Sequence, residues 1–371
     1  MSDEKEPILK IDDLSVHFHV RGKTLKAIHH VSMDLYKGEV LAIVGESGSG
    51  KSVLTKSFTG MLEENGEIAG GTIVYKGKHL EKLTKDKQWE GIRGNEIATI
   101  FQDPMTSLDP IRTIGSQIAE VVVKHQGKSK AEAKQIAIEL MNRTGIPNAA
   151  ARYNEYPFEY SGGMRQRIVI AVALACRPDI LICDEPTTAL DVTIQAQILD
   201  LIKSLQKEDG FTTIFITHDL GVVASIADRI AVMYSGRIIE YGTCDEIFYD
   251  PRHPYTWSLL SSLPQLAQKG GQLYSIPGTP PSLYKDIVGD AFAPRDPWAM
   301  KVDFKADPPF FKVSDTHYAK TWLLDPRAPK TEKPKLIQNL HERMAATVAE
   351  SHLENLDLAL NANKEDDADG E

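Results

Sequence analysis

Cysteine is scarce in this chain: Cys176, Cys183 and Cys244 are three in 371 residues, without metal-type spacing. That excludes a disulfide framework, and the two thiols inside apolar runs are expected to be reduced and buried, as in a cytosolic protein. Long hydrophobic runs are missing too. The longest, Ile168 to Cys176, is flanked by Arg167 and Arg177 and is about half of what a membrane-spanning helix needs. The first seven residues are charged and lack the apolar core of a signal peptide, so any membrane role is expected to come through partner proteins. Basic residues do not dominate either: the formal charge is −10, which argues against a general nucleic-acid binder. No internal repeat is evident. A hydrophobic fraction of 42% over this length predicts one large core with an additional small domain or tail.

What the chain does have is Gly45-Glu46-Ser47-Gly48-Ser49-Gly50-Lys51-Ser52, which fits G-x-x-x-x-G-K-[ST] in full. Val40–Val44 before it reads as a buried parallel strand, and a helix is predicted from Val53 to about Met61. Glycines let backbone N–H groups turn toward a phosphate, the following helix directs its positive end at the anion, and Lys51 adds a charge. Ser52 is placed to hold Mg²⁺. The loop predicts a nucleoside triphosphate without saying what its energy drives.

Along the chain, residues 8–44 alternate in a way that predicts short strands turning at Gly22-Lys23 and Lys37-Gly38. Phe18 in this stretch is either a strand core residue or a platform for a nucleotide base. Strands are predicted at Gly70–Tyr75 and Glu96–Phe101, followed by a helical insertion over about 103–167. Within it, Ser129 and Glu132 form a capping box, Ala133, Ile136, Ala137, Leu140 and Met141 line one helix face, and Gly145 with Pro147 ends it. A strand over Asp179–Cys183, a long amphipathic helix through Ile194, Ile198, Leu201, Ile202 and Leu205, and a strand over Thr213–Thr217 complete a parallel α/β grammar. The P-loop, Asp184-Glu185 and His218 all fall at the carboxyl ends of strands, where such sheets bind ligands. Beyond about Asp250 prolines crowd the chain and predict a loop-rich domain; a helix is expected within 335–360 and a solvated acidic tail over 364–371.

Phosphoanhydride hydrolysis needs phosphate positioning, a metal, an oriented water and a sensor of the γ-phosphate. Asp184 has the position of a second metal carboxylate, and Glu185 beside it could serve as the base. Gln102, ending its strand, can reach metal or water through its amide, and His218 could donate to a γ-phosphate oxygen. Ser161-Gly162-Gly163-Met164 opens a long apolar helix and forms a second anion cradle. Two cradles with one P-loop make sense if they face different molecules.

With these residues in order, the chain resembles the ATP-binding subunits of ABC transporters over about residues 8 to 250. The series is the P-loop, Gln102 of the Q-loop, the signature Ser161-Gly162-Gly163-Met164-Arg165-Gln166, Asp184 and Glu185 of Walker B, the D-loop Ala189-Leu190-Asp191 and the switch His218. The resemblance implies an ABC-type P-loop NTPase fold with a β subdomain and a helical insertion, and Phe18 stacking on adenine. It implies Mg²⁺ on Ser52, Gln102 and Asp184, and ATP between the P-loop of one subunit and the signature of another. His253-Pro254-Tyr255-Thr256, Leu259–Pro264 and Ile276–Pro281 resemble the C-terminal extension of oligopeptide and dipeptide importer ATPases, over 251–334 with a helical and acidic tail at 335–371. Phe101–Pro110 and the signature methionine are similar to the D-type subunit. The partners implied are a related F-type ATPase in a heterodimer, two transmembrane permeases that touch the helical insertion, and an extracytoplasmic solute-binding protein. The place implied is the cytoplasmic face of the membrane, with no nucleic acid involved.

One departure stands out. Many D-type subunits hold an iron–sulfur cluster with four cysteines in this extension; here Asp290, Asp296, Asp303 and Thr321 occupy those positions. Hard carboxylates do not replace thiolates as cluster ligands, so no cluster is expected. The aspartates either bind another cation or solvate a surface loop, and solvation is the expectation. Import of peptides is the leading function, with nickel or another small solute as an alternative cargo. A soluble ABC ATPase on ribosomes or DNA would usually carry two cassettes or a coiled-coil insertion, and neither is present.

Overall fold

In the computed structural model the described residues are 6–188, 190–263, 275–335 and 337–338. The expected 335–360 helix, the acidic tail, Ala189 of the D-loop and the first five residues lie outside them, apart from single positions. The chain divides into two compact units, one of residues 1–241 with 280–287, the other of residues 242–279 with 288–371.

The first unit opens with two long strands, β1 (Pro7–Val20) and β2 (Lys23–Tyr36), in place of the expected short ones. The difference has a local cause. Asp13 and His30 take left-handed backbone, φ 52° and 47°, at breaks in the β1–β2 register, so the apolar alternation shifts phase while pairing continues. Then come β3 (Val40–Val44), α1 (Lys51–Thr59), β4 (Gly66–Tyr75), β5 (Lys78–His79), α2 (Asp86–Trp89) and β6 (Ile97–Ile100). The order β2-β1-β4-β5 makes one antiparallel sheet.

The insertion comprises α3 (Pro104–Ser107), α4 (Ile114–Gln126), α5 (Lys130–Arg143) and α6 (Ala149–Arg152). Ser129 caps α5 as expected, its hydroxyl accepting from Glu132 N–H while the Glu132 carboxylate accepts from Ser129 N–H. Ala133, Ala137, Leu140 and Met141 are buried and Ile136 half-buried. After α7 (Gly162–Leu174) follow β7 (Ile180–Asp184), α8 (Val192–Asp209), β8 (Thr212–Thr217), α9 (Leu220–Ile226), β9 (Arg229–Tyr234) and β10 (Arg237–Thr243). β9, β3, β8, β7 and β6 are parallel neighbours in that order. Both faces of this sheet are covered. Leu181, Cys183 and Phe215 join the core shared with the helical insertion, while Ile182, Ile214 and Ile216 join the core beneath the antiparallel sheet. Of the cysteines Cys183 alone is fully buried; Cys176 and Cys244 are half-buried. Among the described residues no helix is long and apolar enough to cross a membrane.

Among the described residues the second unit contains α10 (Cys244–Tyr249), α11 (Pro254–Ser261), the two-residue strands β11 (Phe311–Lys312) and β12 (Tyr318–Ala319), and single 3-10 turns at Ala293–Arg295 and Trp322–Leu324. Surface solvation of its aspartates is not what is found. Asp290 and Asp303 are buried, and each carboxylate closes a turn: Asp290 Oδ1 accepts from Phe292 N–H at 2.9 Å, Asp296 Oδ1 from Trp298 N–H at 2.8 Å and Asp303 Oδ2 from Met300 N–H at 2.5 Å. Thr321 Oγ1 accepts from Leu323 N–H at 3.2 Å. Short polar side chains satisfy backbone donors here that the irregular chain would otherwise leave unpaired.

Candidate active site

The phosphate loop leaves β3 at Gly45, whose φ of 153° brings the backbone so close to Met233 that a Cβ would stand 2.1 Å from its carbonyl oxygen. It enters α1 through Gly50, φ 103°, with no side-chain cap on the helix. The first N–H groups of α1 are thus left for an anion. Lys51 is 5% exposed and its Nζ donates to Gly45 O at 2.8 Å and Glu46 O at 3.1 Å. Burial lowers its pKa, opposed by the charges of Glu185, Asp184 and Glu46. Ser49 Oγ is buried without a hydrogen-bond partner among the described residues, a polar atom a phosphate oxygen would satisfy. Ser47 and Gly48 stand exposed at the loop's crest.

Parallel pairing brings the other chemistry here. Ser52 Oγ donates to Asp184 Oδ1 at 3.0 Å, at the end of β7, which is separated from β3 by β8. Burial raises the Asp184 pKa; the Ser52 hydroxyl opposes this, Glu185 adds to it, and Lys51 opposes it. Glu185 follows with φ 49°, a left-handed conformation that costs a non-glycine residue on the order of 1–3 kcal/mol. That turn directs its carboxylate to a set of donors. Gln102 Nε2 donates to Oε2 at 3.0 Å, Thr188 Oγ1 donates to the same oxygen at 3.1 Å, and His218 Nδ1 lies 3.4 Å from Oε1. Thr188 was not singled out in the sequence; its only signal was its place three residues after Glu185.

Ser161 caps α7, accepting from Met164 N–H at 3.4 Å, and Asp191 caps α8, its Oδ1 accepting from Ile194 N–H at 3.0 Å. Gly163 sits against Ile194 in the first turn of α8, where a Cβ would come within 2.6 Å of its Cγ2, and a Cβ on Gly162 would lie 3.7 Å from Leu190 Cδ2, so the signature packs on the D-loop and the start of α8. Among the described residues, Ser161 to Met164 make no hydrogen bond to Ser52, Asp184, Glu185, Gln102 or His218. Phe18 is 8% exposed and lies over Gly66, where a Cβ would be 2.6 Å from its ring.

The ABC transporter profile matches residues 28–188, and the profile of the oligopeptide/dipeptide transporter C-terminal region matches 239–302. The chain is 69% identical to the oligopeptide transport ATP-binding protein AmiE of Streptococcus pneumoniae, covering 95% of this chain and 99% of that one. It is 57% identical to the dipeptide transport ATP-binding protein DppD of Lactococcus lactis (89% and 94% covered) and 55% to the oligopeptide transport ATP-binding protein OppD of Bacillus subtilis (92% and 95%). Among solved structures it is similar to a dimeric post-hydrolysis state of the ATP-binding cassette MJ0796 bound to ADP and Pi, with a TM-score of 0.57 and 27% identity over 64% of this chain and 98% of that one.

Proposed function

The chain belongs to the ABC transporter family and carries the C-terminal region of its oligopeptide and dipeptide members; on that premise we propose that it is the ATP-hydrolysing subunit of an importer that takes up oligopeptides through membrane permeases. Residues 8–250 are the ATPase domain and 251–334 the importer extension. The observation that carries the reading is the linked set of Ser52 with Asp184 and of Gln102, Thr188 and His218 with Glu185, at the foot of the phosphate loop.

In this reading the loop from Gly45 to Ser52 holds the phosphates of ATP, with Lys51 turning from the loop carbonyls to the β- and γ-phosphates. Ser52, Asp184 and Gln102 offer hard oxygen donors that suit Mg²⁺. When bound, Mg²⁺ supplies charge neutralisation on the phosphate oxygens. Gln102 and His218 orient Glu185, which takes a proton from water as its oxygen attacks the γ-phosphorus and the bond to the ADP oxygen breaks. His218 also faces the γ-phosphate as its sensor. Phe18 serves the adenine, which requires its ring to be uncovered from its present packing on Gly66. Ser161 to Met164 act on ATP held by a partner ATPase, and Asp191 lies at that interface. The dimeric form of the similar cassette supports such a pairing, and in this reading the partner is a related but different ATPase. The second anchor is a pair of permeases reached from the cytoplasmic face, with an extracytoplasmic binding protein delivering peptide.

The aspartates and Thr321 of the extension place no soft donor in a cluster position, and each spends an oxygen on a backbone N–H, which supports an extension without an iron–sulfur cluster. Purification of the membrane complex, followed by a screen for solutes that stimulate its ATPase, tests the function. Stimulation by peptides is expected. Stimulation by nickel alone, or recovery with ribosomes or DNA and never with membranes, would overturn it.

A further inference from the structure

β2 is an edge strand of the antiparallel sheet, so part of its backbone has no strand partner. At one residue that edge is covered from far along the chain. Lys26 N–H donates to Leu283 O at 3.0 Å, and the Lys26 ammonium pairs with the Asp286 carboxylate. Leu283 and Asp286 belong to residues 280–287, which are part of the first unit although the chain on both sides of them is not. The segment is shaped by its own turn, Tyr284 N–H donating to Ser282 Oγ at 3.4 Å and Lys285 N–H to Ser282 O at 3.2 Å.

Lys26 stands between two parts of the nucleotide site. Before it, Leu25 pairs with Phe18. After it, Ala27 and Ile28 close on the phosphate loop: a Cβ on Gly50 would lie 2.9 Å from Ile28 Cδ1 and 3.0 Å from Ala27 O. The same stretch is tied again through Gly236, whose carbonyl accepts from His29 N–H at 2.8 Å and whose N–H donates to Ser49 O at 2.8 Å. A displacement of β2 at Lys26 is thus carried by contact and hydrogen bonds to Ser49 and Gly50.

We propose that residues 280–287 are a positioning element for ATP: through Leu283 and Asp286 they hold Lys26, and through Ala27 and Ile28 they set the phosphate loop in its binding form. This rests on the reading of Gly45 to Ser52 as the ATP site. The segment touches no reacting atom, so it changes ATP affinity and leaves turnover at saturation alone. Linkage makes the effect reciprocal, so ATP tightens the hold of the segment on β2 by the same factor.

The test uses the full-length chain. Binding of a fluorescent ATP analogue is titrated for wild type, Asp286→Ala, Lys26→Asp, and the swap Lys26→Asp with Asp286→Lys. Hydrogen exchange over residues 23–30 and 280–287 is followed with and without ATP. An exposed ion pair shifts an equilibrium by about two- to fivefold. Each single variant should bind that much more weakly with an unchanged thermal midpoint, the swap should return to within about twofold of wild type, and ATP should slow exchange in both segments. Wild-type affinity in both single variants, a loss that the swap does not restore, or exchange over 280–287 indifferent to ATP would each overturn the proposal. Failure of the underlying reading shows separately: Lys51→Ala would then bind the analogue as wild type does.

Discussion

Glu185→Gln is the sharpest perturbation of the site, because the hydrogen-bond pattern says what the isostere preserves. The Oε2 position receives two donors, Gln102 Nε2 and Thr188 Oγ1, and a glutamine carbonyl oxygen there accepts both. The amide nitrogen then takes the Oε1 position, 3.4 Å from His218 Nδ1, which can accept when the ring proton is on Nε2. No buried donor is left unpaired and the φ of 49° is unchanged, so folding stability should move by less than ~1 kcal/mol. What is lost is proton acceptance from water. General-base catalysis contributes about 10²- to 10⁴-fold, or ~3–5 kcal/mol of barrier. Phosphate release at saturating ATP should fall by at least about 100-fold while binding of the nucleotide persists. In a mixture with the partner ATPase, the variant should accumulate as a closed dimer in ATP. Turnover within about tenfold of wild type would refute the assignment of Glu185 as the base, whatever the dimer does.

Lys51→Ala should behave oppositely, losing nucleotide affinity before any rate is measurable, as a binding titration will show. The extension should be pH-sensitive: burial, and then the charges of Asp290 and Asp303, push the Asp296 carboxyl up to about 7, partly offset by the Trp298 N–H. Its unfolded form releases the proton near 3.8 while the folded form keeps it, so stability should fall as pH rises from about 4 to 7 and level off above, by at most ~4 kcal/mol. Asp296→Asn should flatten that slope in denaturant titrations across this range. Anaerobically purified protein should carry iron and sulfide far below one per chain, and stoichiometric amounts of both would contradict the assignment of the extension. Gln166 is fully buried in α7 with neither amide atom hydrogen-bonded among the described residues, so Gln166→Met should raise stability by roughly 1–3 kcal/mol in the same titrations; a loss of that size would show that the amide has a partner.

The residues of the candidate site could be picked out in the sequence because each sits at a boundary that a local pattern marks. Apolar runs at Val40–Val44 and Ile180–Asp184 end in the loop and in Asp184, and parallel pairing of the strands converts these sequence boundaries into a common edge. The cap at Ser129 was similarly readable, since a cap depends on residues within one turn; Ser161 was read as an anion cradle and Asp191 as part of the D-loop, and the capping role of each came from the structure. What was not legible depends on residues distant in sequence or on backbone state. The register breaks at Asp13 and His30 hide two long strands behind a broken alternation, and nothing local to Ser282–Asp286 announces a return to Lys26. Glu185 shows a third limit. Its side chain was assigned from type and place, but the left-handed turn that aims it has no signature in an Asp-Glu-Pro sequence.

The extension shows why a frame can persist while its chemistry changes. A thiolate at position 290, 296 or 303 would be a metal ligand; a carboxylate there becomes an acceptor for a backbone N–H within three residues, and the hydroxyl of Thr321 does the same. The turns need only that acceptor. What they cannot supply is the charge neutralisation a metal would bring, so the cost appears in the carboxyl pKa values: Asp296 and Asp303 are both raised, first by burial and further by the charge of Asp290. Local hydrogen bonding therefore serves the turns of the extension, and proton uptake by Asp296 offers a way of removing buried charge that needs no metal. The two schemes differ in an observable way. A metal-held frame fails when chelated, whereas this one should be indifferent to chelators and weaken as the pH rises toward 7.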